Sequence, residues 1–325
     1  MPQKIEISSR TIIFTAFFLL ALFFLWQIKD LIFSLFIAFI ISSSLKPATD
    51  FLEKKKFPRL LASILVFLTF LLVIYFLFSL IIPPLVKEII VLLKNLPSII
   101  RSVFPDYSLG LNFDFLSQNL PGLANQTINI IKGAFSNAVF LISSLFFTFY
   151  FLHEKRIIDI LFGNFFEDLE IKKVEIVYER AQRRVSSWFW GELILMFVVG
   201  AMNYIGLTLI GMRYSLALAV LAGLLEVVPN VGPVTAAIPA VLIGFSRSPF
   251  LGLSAAAVVF IVQQLENTLL VPLVMKKVVG LHPVVTLIAL IIGGKLAGIL
   301  GVLLAVPTTL FLETVLIELQ RFNKK

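Results

Sequence analysis

The sequence predicts an all-α polytopic membrane protein of about eight transmembrane helices, with broken, re-entrant half-helices in its C-terminal half. Three observations carry this. Hydrophobic residues make up 59% of the 325 positions and charged residues only 14%, with a mean hydropathy of +1.01, well outside the range of soluble domains. Apolar runs of spanning length alternate with short basic loops. After Trp190 the runs shorten and Gly and Pro become frequent. The formal charge of +8 sits between the apolar runs and not along one basic face, so it orients the chain in a membrane and gives no sign of nucleic acid. The chain has no Cys, which excludes disulfides and thiolate metal sites.

Residues 1–152 form the N-terminal transmembrane part. The run 11–28 ends in Trp26-Gln-Ile-Lys-Asp30 without a small-residue cleavage site, so it is a retained span and not a signal peptide. Residues 31–45 return, and the loop beyond holds Lys46, Lys54, Lys55, Lys56 and Arg59, which places it and both termini in the cytoplasm. Residues 60–82 give a third span, which Pro83-Pro84 is expected to stop. Residues 83–132, broken by Pro97, Pro105, Pro121 and Gly122, are expected to lie outward as amphipathic interfacial segments. Residues 134–152 cross back. In 153–187 basic and acidic residues nearly balance, and Ile171, Val174, Val177 and Tyr178 recur at helical spacing, which predicts a cytoplasmic amphipathic helix.

Residues 188–325 form the expected transport part, opened by the interfacial aromatics Trp188, Phe189 and Trp190. Residues 193–210, 250–271 and 298–319 are each long enough to span. Residues 215–228, 234–245 and 284–292 are too short and read as half-helices. A weak repeat supports this division: Pro233-Val234 with Ile238, Leu242 and Gly244 recurs fifty positions later as Pro283-Val284 with Ile288, Ile292 and Gly294.

The polar residues within these apolar runs are the candidate pathway. Glu226, Pro229, Asn230, Gly232 and Pro233 interrupt one segment; freed backbone groups and a carboxylate at that depth are costly unless protein or a wet cavity surrounds them. Gln263, Gln264, Glu266 and Asn267 cluster in another, where positions 263, 266 and 267 of a regular helix share one face. A membrane carboxylate is a functional candidate by default, and two of them could exchange protons or hold a cation. The bland reading puts Glu226 at a loop mouth and lets Glu266 snorkel to water. Glu192 and Arg213 read as interfacial, and Lys295 and His282 as loop or turn residues. Gly223, Gly232, Gly280 and Gly294 are the expected hinges.

Enzyme chemistry finds no support. His153-Glu154 lacks the second His of a zinc-protease motif, Lys295 lacks the frame of a phosphate-binding loop, and no G-x-S-x-G elbow occurs. No cofactor or metal is expected, only coupling to H⁺ or Na⁺.

The run Glu226-Val-Val-Pro-Asn-Val-Gly-Pro233 with Ile238-Pro239, then Gln263-Gln-Leu-Glu-Asn267, Pro272, Met275, Val279-Gly-Leu-His-Pro283, Gly293-Gly294, Gly298, Gly301 and Ala305-Val-Pro307, resembles the AI-2E family of prokaryotic transporters. The resemblance implies secondary export of a small polar solute across the cytoplasmic membrane, with autoinducer-2 the named substrate of some members. Exchange of Na⁺ or Li⁺ for H⁺ is the alternative it carries. It also implies a homo-oligomer, with a pentamer as its form. Asn230 stands where members often have an aromatic and Glu192 where a Gln is common, so the cargo can differ. The expected partners are therefore the bilayer, a small solute or ion, and further copies of the chain.

Overall fold

The computed structural model describes residues 9–103, 138–163, 168–229, 231–275 and 281–323. The regular structure of the described residues is all helix, with no strand among them. In chain order they form α1 (Ser9–Gln27), α2 (Lys29–Lys54), α3 (Arg59–Val103), α4 (Ala138–His153), α5 (Ile157–Phe162), α6 (Asp168–Leu209), α7 (Ser215–Leu225), α8 (Val231–Arg247) and α9 (Pro249–Leu265). A π-helical turn (Glu266–Leu270), α10 (Val271–Val274) and α11 (Pro283–Asn323) follow. Five stretches are long and apolar enough to cross a membrane, namely Lys29–Lys54, Arg59–Ser79, Glu170–Leu209, Pro249–Val274 and Val284–Phe322, and shorter apolar helices accompany them. The protein is a multi-pass membrane protein, as its composition predicts.

The first half is packed through small polar residues. Ser34 of α2 and Ser144 of α4 meet across the interface, Ser144 Oγ donating to Ser34 Oγ at 3.0 Å, and Thr49, Ser63 and Thr148 are fully buried nearby. Lipid tails give apolar side chains no reason to prefer each other, so close approach of small residues and hydrogen bonds between helices hold such pairs together. At the basic end Arg59 gathers three elements. Its guanidinium pairs with Asp50 at 3.1 Å and Glu53 at 2.9 Å, and donates to the carbonyls of Leu152 and His153 at the end of α4, where helix acceptors would otherwise be unmet.

Pro83-Pro84 does not end the third span: α3 continues through it to Val103, 45 residues in all. Each Pro removes one helical hydrogen bond, which frees the carbonyls of Ser79 and Leu80 while the helix runs on. Of the outward segment expected over 83–132, residues 83–103 form the end of α3 and residues 104–132 lie outside the described residues. Likewise α6 is one helix of 42 residues, about 63 Å at 1.5 Å per residue, twice the hydrocarbon thickness. The boundary read at residue 187 therefore falls inside a continuous rod.

The second half is built from helices that reverse direction sharply. Between α8 and α9 the turn is made at Arg247-Ser248: Ser248 is extended (φ −163°, ψ 151°), its Oγ accepts from Leu251 N at 3.1 Å, and Pro249 starts the next helix. Close to that turn, a Cβ on Gly244 would lie 2.7 Å from Gly252 Cα. In α11 the helix breaks at Ala297 (φ −141°) and Gly298 (φ 58°, ψ −134°), the latter in a region open to glycine. A Cβ on Gly301 would lie 1.9 Å from Gly293 O, a contact impossible in a straight helix, where residues eight apart are about 12 Å apart. The limb from Pro283 thus returns on itself. The two hairpins correspond: each opens with Pro-Val and closes on a pair of glycines eight positions apart, 244 with 252 and 293 with 301. The repeat read in the sequence, which pairs Gly244 with Gly294 at fifty positions, is one residue out of register with these glycine pairs, which stand forty-nine apart.

The halves meet at the basic end of the molecule. Phe36 and Phe39 of α2 pack on Phe311 of α11, with Tyr178 of α6 against Phe39 at 5.5 Å. Glu318 of α11 is buried and paired with both Arg180 and Arg321, while Arg184 bonds Glu313 at 2.5 Å and Thr314 at 3.1 Å.

Candidate functional site

The linker 226–230 decides the site. α7 ends at Leu225 because Pro229 and the following Gly-Pro pair cannot extend it. The chain then turns tightly: Val228 N bonds Leu225 O at 3.0 Å, Gly232 N bonds Val228 O at 2.8 Å, and a Cβ at Gly232 would fall 1.8 Å from Leu225 O. Only a glycine lets α8 start so close to the end of α7. This turn carries Glu226 inward, where it is 4% exposed.

A second irregularity faces it. After Leu265 the helix widens into a π-turn over Glu266–Leu270, which accommodates one extra residue before Pro272. Glu266 is 5% exposed, accepts from Gln263 Nε2 at 3.2 Å, and lies within hydrogen-bonding reach of the Glu226 carboxyl. Glu226 Oε2 is buried and has no donor among the described residues. Two carboxyl groups in contact cannot both remain bare anions without a proton or a cation between them. The space beside them measures only about 10 Å³, room for one water-sized sphere, and is closed by Asn203 of α6 and by Ala222, Ala236 and Ala240.

Of the residues singled out in the sequence, Glu226, Pro233, Gln263 and Glu266 converge on this cavity. Gln264 and Asn267 do not: both are exposed and point away from it. The expected stripe presumed a regular helix, and the π-turn turns Asn267 off that face. Pro229 is half-buried beside the turn without lining the cavity, and Gly232 serves the close approach to Leu225. Asn230 and Gly280 lie outside the described residues. Gly223 sits inside α7 with Gly200 of α6 against it, where a Cβ would meet Met196 O at 2.6 Å; it is a packing glycine. Gly294, an expected hinge, lies within helical backbone, and the non-helical residues of α11 are Ala297 and Gly298.

Two residues were missed. Asn203 is 3% exposed, its amide donating to Val199 O at 2.9 Å, and Glu192, read as interfacial, is 6% exposed. Glu192 stands near enough to Glu266 for their charges to interact and bonds the side chain of Trp188. They lie eleven positions apart on α6, three helical turns and hence one face, a signal available in the sequence. The cavity therefore has acid or amide groups from α6, from the end of α7 and from α9 with its π-turn, set against an apolar wall of Pro233 and alanines on α8, and no metal cluster of three or more ligands occurs among the described residues.

The profile of the family described as AI-2E family transporter matches residues 12–321. The chain is 30% identical to "Putative transport protein YueF" of Bacillus subtilis (strain 168), over 93% of its own length and 87% of the relative's. A second protein of the same organism, named in the same way as YrrI, is 28% identical over 96% and 94%. "Putative permease PerM" of Escherichia coli (strain K12) is 30% identical over a shorter stretch, 43% of this chain and 40% of that one. Acids and amides enclosed by interrupted helices, within a match that runs through both halves, make this chain a multi-pass membrane transport protein and a member of the AI-2E transporter family.

Proposed function

We propose that the protein is a secondary transporter whose Glu226–Glu266 pair binds a monovalent cation or a proton, and that it exchanges Na⁺ or Li⁺ for H⁺. One observation carries this reading: a buried carboxylate oxygen without a donor, set against a second carboxyl in a space the size of one small ion or water. Glu192 adds negative charge next to Glu266, and Gln263 and Asn203 supply amides. A chain with these groups and no nucleotide motif draws its energy from an ion gradient. The basic ends of α2 and α11 face the cytoplasm in this reading, which leaves both termini on the cytoplasmic side of the inner membrane.

Export of a small polar solute such as autoinducer-2 is the second reading. It is favoured by the amides of Asn203 and Gln263, which can bond hydroxyl groups, and by walls of Ala222, Ala236, Ala237 and Ala240 that leave room once the hairpins part. Gly298 and the turns at Gly232 and Arg247-Ser248 are the points about which they would part. The exposed apolar flanks of the monomer suit lipid and further copies, a homo-oligomer being the expected assembly and a pentamer the expected form.

Purified protein in liposomes carrying an internal pH dye separates the readings. Ion exchange predicts a Na⁺-dependent pH change that Glu226→Gln abolishes. A variant that loses solute efflux while the Na⁺-dependent signal stays unchanged would favour solute export.

A further inference from the structure

A separate polar groove of about 250 Å³ lies between α2 and α6, away from the carboxylate pair, with Lys46, Asp50, Glu179, Gln182 and Arg183 among its walls. Charge pairing around it is nearly complete. Arg59 holds Asp50 and Glu53, Lys155 holds Glu53 at 2.5 Å, and Arg183 holds Glu179 at 3.1 Å. Lys46 is the exception. Its ammonium donates to Gln182 Oε1 at 2.9 Å, and no carboxylate oxygen among the described residues comes within 4.0 Å of it.

Gln182 is itself buried and fixed, its Nε2 donating to Tyr178 Oη at 3.1 Å, so the amide aims Lys46 and does not neutralise it. A half-buried ammonium with two unspent protons, opening on a head-group-sized groove between two spanning helices, is a site for an oxyanion. Arg183, 79% exposed at the rim, has further N–H groups to turn toward the same ligand. The groove sits at the basic end of α2, where Lys54, Lys55 and Lys56 follow and lipid phosphates are the densest anions.

We propose that this groove binds a phosphate group, with Lys46 as its charge partner, Gln182 as the residue that orients Lys46, and Arg183 at the rim. The phosphate belongs either to an anionic phospholipid or to a soluble phosphate species. Chloride and other small ions do not need a groove this large, and Lys46, which Asp50 and Glu179 meet only beyond 4.0 Å, favours an anion over an uncharged ligand.

Thermal unfolding of the full-length protein in detergent micelles tests this, titrated in parallel with phosphatidylglycerol, phosphatidylcholine and inorganic phosphate. Wild type is expected to be stabilised by phosphatidylglycerol and not by phosphatidylcholine. Lys46→Gln, which keeps a hydrogen bond to Gln182, should weaken the apparent affinity by at least about tenfold, the value of one charge-assisted contact. Lys46→Arg should retain it, and Arg183→Gln should weaken it by a smaller factor. Stabilisation by inorganic phosphate with the same dependence on Lys46 assigns the site to a soluble phosphate; none assigns it to lipid. Lys172, exposed on the same helix as Gln182, is the control. Equal titrations of wild type and Lys46→Gln, or an equal loss in Lys172→Gln, would overturn the proposal. If Lys46→Gln does not elute as a single species, Lys46→Met takes its place with the same readings: weakened binding beside an unchanged Lys172→Gln supports the proposal, and a titration equal to that of wild type overturns it.

Discussion

Gly301→Ala is the sharpest test of the reversed helix in α11. A methyl group at that position would stand 1.9 Å from Gly293 O and 2.5 Å from its carbon, and 3.0 Å is the distance below which real Cβ contacts essentially never fall. The limbs must therefore separate by at least about 1.1 Å (3.0 minus 1.9), and both neighbours are backbone, which cannot rotate aside. Overpacking of this kind costs roughly 1–3 kcal/mol, against a total stability of about 5–15 kcal/mol, and it acts where the hairpin closes. Gly294→Ala is the matched control, because its Cβ would meet only Val302 Cγ2 at 3.2 Å, the end of a side chain with room to adjust. In a thermal-shift assay Gly301→Ala should unfold several degrees below wild type and below Gly294→Ala, and its flux in liposomes should fall. Equal melting temperatures and equal flux for the two variants would refute the reversal at residues 297–298.

Gly298→Ala should likewise lower stability, by about 1–3 kcal/mol, since φ 58° with ψ −134° is a backbone state that side chains oppose; circular dichroism on heating measures it. A double-mutant cycle on Ser34→Ala and Ser144→Ala should yield a coupling of about 0.5–1.5 kcal/mol, and a coupling of zero would remove that hydrogen bond from the α2–α4 interface. Glu192→Gln should retain exchange but alter its dependence on membrane voltage, because it removes a charge beside Glu266 without removing the pair; identical current–voltage curves would dismiss a role for Glu192.

How much of this was written in the sequence depends on the range of the interaction involved. The short helices α7 and α8 and the limb from Pro283 were readable because Pro and Gly act on their immediate neighbours. Glu226 and Glu266 were readable because a carboxylate in an apolar run is costly wherever it faces. The π-turn was not readable: nothing in Gln263-Gln-Leu-Glu-Asn267 marks it locally, and it moved Asn267 off the shared face. Nor was the choice among Gly293, Gly294, Gly298 and Gly301, since all four tolerate the break and the packing of one limb on the other selects Gly298. Glu192 was misjudged because its burial comes from α6 continuing unbroken on both sides, a property of the whole helix.

That unbroken helix has a mechanical meaning. From Arg180, locked to Glu318, to Asn203 at the cavity, α6 is a rod of about 35 Å. A lever of that length turns a tilt of five degrees at one end into a displacement of about 3 Å at the other, comparable with the diameter of a water molecule. Whatever grips the Arg180 end of α6 therefore also sets the clearance at the small cavity beside Asn203.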